Sequence, residues 1–185
     1  MDVYLKLAGA ALALALLSGC KETVASTPEA AAPAAAPVAT TAPGPTLPPL
    51  PQLPGWVTPY KGAAAKDLFS LLSGESQCLG WFERRGDVYA DGAQYEGWGW
   101  NVGSRAPYAR VLVTDQFGVV VGGGESGITR ADVVQAVPAI KDPKVGFTVL
   151  AQAPPGPMIA YGLDETAKTA CELGRYIPAA EPSAN

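Results

Sequence analysis

From Gln77 onward the chain is written in short apolar runs cut by glycine, proline and aspartate, and this punctuation limits its folds more than any other feature. "QCLGWFER", "AQYEGWGWNV", "ARVLVTD", "VVVG", "VGFTVLAQA", "MIAYGLD" and "TACELGRYI" each read as a strand. "RGDVYADG", "GSRAP", "QFG" and "PPGP" between them are turn vocabulary. The hairpin through "QFG" is the most legible, with Asp115 and Gly118 framing its turn. Seven short strands without helices alternating between them argue for an antiparallel β-sandwich or barrel and against a doubly wound nucleotide-binding fold.

Two segments depart from strand spacing. In "GAAAKDLFSLLSG", residues 62–74, Ala65, Leu68, Phe69 and Leu72 recur at helical spacing and Gly74 stands where a C-terminal cap belongs. This predicts a short lead-in helix lying on the domain. Lys66 is its only cation, which disfavours a membrane-surface helix. In "GESGITRADVVQAVPAIKD" an extended lead is expected to reach one helical turn that Asp132 begins and Pro138 ends. Arg130 is then expected to pair with a carboxylate or with backbone carbonyls at this corner, a structural role preferred over a ligand clamp.

The run "VVVGGGESGIT" is one letter short of a phosphate-binding loop: Ile128 stands where the pattern needs lysine. Ile128 supplies no charge, and Pro138 would stop a following helix early. The glycines are therefore expected to serve the backbone at a strand end, as a turn or bulge, and no nucleotide is expected to bind.

The N-terminus, "MDVYLKLAGAALALALLSGC", joins a short polar start to an apolar run from Leu7 to Leu17, about half the length a membrane-spanning helix needs. It has the form of a secretory signal over residues 1–19. Its close, Leu17-Ser18-Gly19-Cys20, resembles the lipobox of bacterial lipoproteins. That resemblance implies cleavage before Cys20, a lipid on its thiol and stable anchoring, since each buried methylene contributes about 0.8 kcal/mol. Lys21 after the cysteine resembles the default for transfer to the outer membrane in Gram-negative bacteria. Residues 20–54 form an Ala/Pro/Thr-rich tether holding half of the chain's prolines, with almost nothing to bury and so expected to be disordered. The lead-in occupies 55–75, the β domain 76–177, and 178–185 is a disordered tail.

If Cys20 carries lipid, Cys78 and Cys171 remain in an oxidising compartment, and a disulfide closing a loop of more than 90 residues is expected. Two buried free thiols are the alternative. The chain has no histidine, so a zinc site, a thiol nucleophile or a serine triad lacks its usual partner. No cofactor and no metal are expected. Acidic residues outnumber basic ones, 17 to 13, and no basic block follows the tether, so nucleic acid is not an expected partner.

Trp98 and Trp100 lie two apart and point to one face of a strand, with Gly97 and Gly99 baring the other. They are candidate ligand-binding residues if exposed, because sugar C–H faces pack on indoles, and core if buried. Trp81, Tyr89 and Tyr95 could extend such a platform. Asp87, Asp91 and Glu96 flank this strand; turn and surface acids are preferred over a glycosidase pair.

The order Gly97-Trp98-Gly99, a valine-rich hairpin, Arg130-Ala131-Asp132-Val133 and Gly146-Phe147 is similar to a small domain found beside bacterial glycosyltransferases. There it recurs as a Gly-Trp-Ala strand, an Arg-x-Asp-Val turn and a Gly-Phe strand, so Gly99 is a departure. The resemblance covers about residues 95–150. It implies an immunoglobulin-like β-sandwich with an accessory or binding role. The expected protein is a non-catalytic envelope lipoprotein, anchored through Cys20 and presenting a module for an envelope protein or glycan. A small carbohydrate-active or peptidoglycan-modifying enzyme and a structural spacer are the alternatives.

Overall fold

The computed structural model describes residues 46–152 and 156–178. The signal, Cys20, most of the tether and the tail beyond residue 178 lie outside the described residues. The strands are β1 Ser70–Leu72, β2 Cys78–Val88, β3 Gly92–Asn101, β4 Ala106–Pro107, β5 Arg110–Asp115, β6 Val120–Ile128, β7 Gly146–Gln152, β8 Met158–Asp164 and β9 Thr169–Tyr176. Two short helices join them, α1 Ala65–Leu68 and α2 Ala131–Ala136. The neighbour order is β1-β9-β8-β5-β6-β7-β3-β2, with β4 beside β3. Every pairing is antiparallel except β1 with β9.

All seven expected strands are present, and the fold is mainly β with a small helix before the sheet. One path of hydrogen-bonded neighbours takes in the whole set, forming a curled sheet; this pairing does not draw the two stacked sheets of an immunoglobulin-like sandwich. Four of the adjacent pairs carry register shifts, and each such bulge adds local twist. The curl brings the two ends of the sheet together. A single buried cluster contains Phe82 from β2, Val111 and Val113 from β5, and Leu173 from β9. Tyr176 on β9 sets its ring 6.0 Å from Phe82 and 5.1 Å, edge-on, from Tyr95. Glycines permit the closure. A Cβ on Gly80 would lie 2.7 Å from Leu173 Cβ, and one on Gly99 would lie 2.5 Å from Leu173 Cδ1.

The opposite face of β5, β8 and β9 is also buried. Leu112, Ile159, Tyr161, Leu163 and Ala170 pack there against Val57, Ala65 and Phe69 of the lead-in. This explains why "RVLVTD" and "MIAYGLD" read as nearly continuous apolar runs: both faces of these strands are covered.

The lead-in corrects the helix expectation. Only Ala65–Leu68 is helical; Phe69 is extended, with φ −140° and ψ 150°, and Ser70–Leu72 form β1. A helix this short has little stability of its own, whereas the edge of β9 offers unpaired backbone groups. The Ser70 N–H donates to Lys168 O at 3.0 Å, and the ladder continues to Leu72 opposite Cys171. The tether expectation also needs correcting at its end. The Ala90 N–H donates to Pro48 O at 2.8 Å, the Leu50 N–H donates to Asp91 Oδ1 at 2.8 Å, and Leu53 packs on the covered face. Composition hides this because Leu53 finds its apolar partners, and the Leu50 N–H its acceptor, only once the sheet exists.

The hairpin through "QFG" forms as expected. Asp115 Oδ1 accepts from the N–H groups of Phe117 (2.8 Å) and Val119 (2.9 Å), and Gly118 adopts φ 82°. Beyond it, Gly122, Gly123 and Gly124 are not a turn. They lie inside β6, between β5 and β7, and a Cβ on Gly122 or Gly124 would strike the backbone of β7. The bulge comes later, between Ser126 and Ile128, where Gly127 takes φ 129°. No phosphate-binding loop is formed: Ile128 ends a strand, and α2 begins only at Ala131.

Candidate functional site

Trp98 and Trp100 do share a face of β3, and the fold treats them differently. Trp100 is 3% exposed and packs with Val133, Ile140 and Val145, so this candidate ligand-binding residue is core. The short helix α2 and the chain after it cover it. Trp98 is only partly buried at the margin of the same cluster. Directly across the ladder stands Trp81 of β2, 62% exposed. Directly opposed residues of an antiparallel pair project from the same face. The exposed aromatic site therefore joins Trp98 to Trp81, not to Trp100.

These two indoles line an open crevice of about 480 Å³ with Gly74, Glu75, Leu79, Val137 and Glu172. It runs along the seam where β2 meets β9. Cys78 forms part of its wall, bonded to Cys171 across that seam with Cα atoms 6.2 Å apart. The expected disulfide is thus formed, and it closes the curl at the crevice. Glu172 is held by Arg175, whose Nε donates to Oε1 at 2.8 Å. Glu75 is exposed. These two carboxylates are the charged side chains of the lining.

Asp87, Asp91 and Glu96 are placed elsewhere. Asp91 accepts from the Leu50 N–H at the end of the tether, and Asp87 is exposed near the end of β2. Glu96 is partly buried on β3, and none of the three lines the crevice. Glu75 and Glu172 escaped the sequence reading because they are distant in the chain and meet only when the sheet curls. Tyr89 lines a different groove, with Pro51, Pro54, Gly123 and Gly124, and Tyr95 is buried.

Arg130 pairs with two carboxylates. Its NH1 and NH2 donate to the two oxygens of Glu83 at 2.8 and 2.9 Å, and its Nε and NH2 donate to Asp132 at 2.9 and 2.6 Å. One planar guanidinium thereby clamps the α2 corner to β2, the geometry that distinguishes arginine from lysine. Asp132 does not cap the helix: Arg130 occupies the N-cap position and Asp132 lies in the first turn. The Arg130 hydrogen bonds draw the Asp132 carboxyl down to about 2 from its ordinary 3.8, and those from Asp132 and then Glu83 raise the Arg130 guanidinium.

A depressed folded-state value means that this pairing favours the native state above the unfolded value. The contribution fades as pH falls from about 3.8 through about 2. A carboxyl-detected NMR titration should therefore find Asp132 still ionised at pH 3, and Arg130→Met should return its midpoint towards 3.8. An ordinary midpoint in the wild-type protein would mean that the fork does not persist in solution.

Among the described residues, no group of three or more His, Cys, Asp or Glu side chains is placed to hold a metal ion. A scan of protein-family models, a search of curated proteins and a search of solved structures each found no match to this chain.

Proposed function

We propose that this chain is a non-catalytic, lipid-anchored envelope protein whose β domain is a binding module, with the Trp81–Trp98 crevice as its site. The observation that carries the binding reading is the exposure of Trp81. An indole 62% open to solvent, on a strand tied down by a disulfide and directly across the ladder from the partly buried Trp98, offers a ligand a fixed, flat apolar face. The rigid frame around it reduces the ordering that a ligand must impose. Anchoring rests on the lipobox ending at Cys20, and outer-membrane delivery on Lys21. The accessory-domain resemblance at Gly97-Trp98-Gly99 and Arg130-Ala131-Asp132-Val133 agrees with a binding role. The partner is an envelope protein or glycan.

The test uses the full chain in a Gram-negative host. Wild type should fractionate with the outer membrane, and Cys20→Ser should become soluble. Trp81→Ala should stay anchored, change stability by no more than about 0.5 kcal/mol because the side chain is exposed, and lose capture of the wild-type partner. Membrane retention of Cys20→Ser would remove the anchor. Undiminished capture by Trp81→Ala would remove the site.

A further inference from the structure

Resting on the reading of the crevice as a binding site, we infer that its ligand is a neutral saccharide, taken with one pyranose ring flat against Trp81. The chemistry of the lining points to this class. The exposed indole offers a flat apolar face of the size of one sugar ring. Around it the lining does not supply what a protein partner needs. Leu79, Trp98 and Val137 are only partly accessible, Leu173 is buried, and Trp81 is the one large exposed hydrophobic among the lining residues. A stable protein interface needs roughly 800 Å² per partner with a desolvated apolar centre. A single solvent-facing indole between glycines and carboxylates does not provide that centre, whereas it suffices for a sugar ring.

The polar groups supply the second half of the match. Glu75 and Glu172 are acceptors, and sugar hydroxyls are donors; hydrogen bonds to an ionised acceptor are the stronger kind. Arg175 engages one oxygen of Glu172 and fixes the carboxylate, while a carboxylate has room for about four such bonds. The lining contains two carboxylates and no lysine or arginine. Phosphorylated, sulfated or uronic acid-rich chains would meet like charge there, so the charge selects against polyanionic glycans. The volume, about 480 Å³, lies within the range of small-ligand sites, and the open form suits a chain passing through better than a monosaccharide enclosed on all sides.

The experiment is calorimetric titration of the full chain in detergent with a neutral chitin hexasaccharide, a neutral cellulose hexasaccharide and a heparin hexasaccharide. Tryptophan emission is followed in parallel. At least one neutral hexasaccharide should bind and shift the emission, and the heparin fragment should not. Trp81→Ala should weaken the binding at least about tenfold, the loss of one anchoring aromatic, while Trp81→Phe should retain most of it. Glu172→Gln should also weaken binding, with unchanged melting. The inference is overturned if neither neutral hexasaccharide binds at millimolar concentration, if heparin binds best, or if Trp81→Ala binds as wild type does. Should no saccharide bind while Trp81-dependent capture of an envelope protein persists, the saccharide assignment falls and the binding-module reading stands. Should Trp81→Ala alter neither, both fall.

Discussion

Replacing Cys78 and Cys171 together by alanine should lower the melting temperature by roughly 15–20 °C, the largest change expected from any pair of side chains in this domain. The bridge spans 93 positions of sequence, and in the chain-entropy account a loop of that length contributes about 4–5 kcal/mol. Its placement adds a local consequence. β2 and β9 are the strands brought together by the curl, and the path of hydrogen-bonded neighbours runs between them the long way round the sheet. At the seam they are held by side-chain packing, by Leu173 over Gly80 and by the disulfide. Without it, β2 should loosen from β9 first, and Trp81 with it. Thermal melts by circular dichroism, with and without reductant, measure the global effect. Tryptophan emission below the melt measures the local one. A reduced protein that melts within a few degrees of the oxidised form would show that packing alone closes the sheet.

The second large effect is expected at a glycine. Gly124→Val should cost about 3 kcal/mol or more and depress soluble expression, because the intrusion is into backbone and not into a side chain that could turn away. A Cβ there meets Thr148 O and lies 2.7 Å from Val149 Cα on the adjacent strand. The control is Gly55→Ala: its Cβ has nothing within 4 Å and its φ is not positive, so it should be neutral or slightly stabilising by removing freedom from the unfolded chain. Urea unfolding of both variants provides the comparison. A Gly124→Val protein as stable as wild type would mean that β6 and β7 can separate at little cost. The same measurement decides the meaning of "GGGESGIT", since a turn or ligand loop would tolerate the valine and a packed strand would not.

Much of the fold was legible because it depends on local chemistry. The turn at Asp115–Gly118 forms through the Asp115 carboxylate and the positive φ of Gly118, both visible in four residues. The brief helix before Pro138 ends where a missing N–H requires it. The disulfide followed from counting cysteines once Cys20 was set aside, and Arg130 found a carboxylate as its position at a corner suggested.

The site was legible only in part. Trp98 is a candidate from its letters alone, but that Trp81 stands directly across from it is not legible there, and the reason is register. Continued from the Val88–Ala93 pair without interruption, the hairpin would set Trp81 against Trp100. Two bulges, between Phe82 and Arg84 and between Arg85 and Val88, move it to Trp98. Nothing in a short window announces a bulge, because it responds to the twist of the whole sheet. Burial adds a second non-local term: Trp100 is core only because Val133, Ile140 and Val145 return over it from more than 30 residues away. Helical spacing misled at Leu72 for a related reason, since the open edge of β9 outcompeted a short helix.

Strand identity, turn position and cysteine parity are thus properties of neighbouring residues and their backbone preferences, and these the chain carries in its letters. Which tryptophan faces water, which glycines are pressed against backbone and which carboxylates rim the crevice are decided by how far the sheet curls before its ends meet. That is a sum over bulges, strand pairings and long-range packing, and no segment contains it alone.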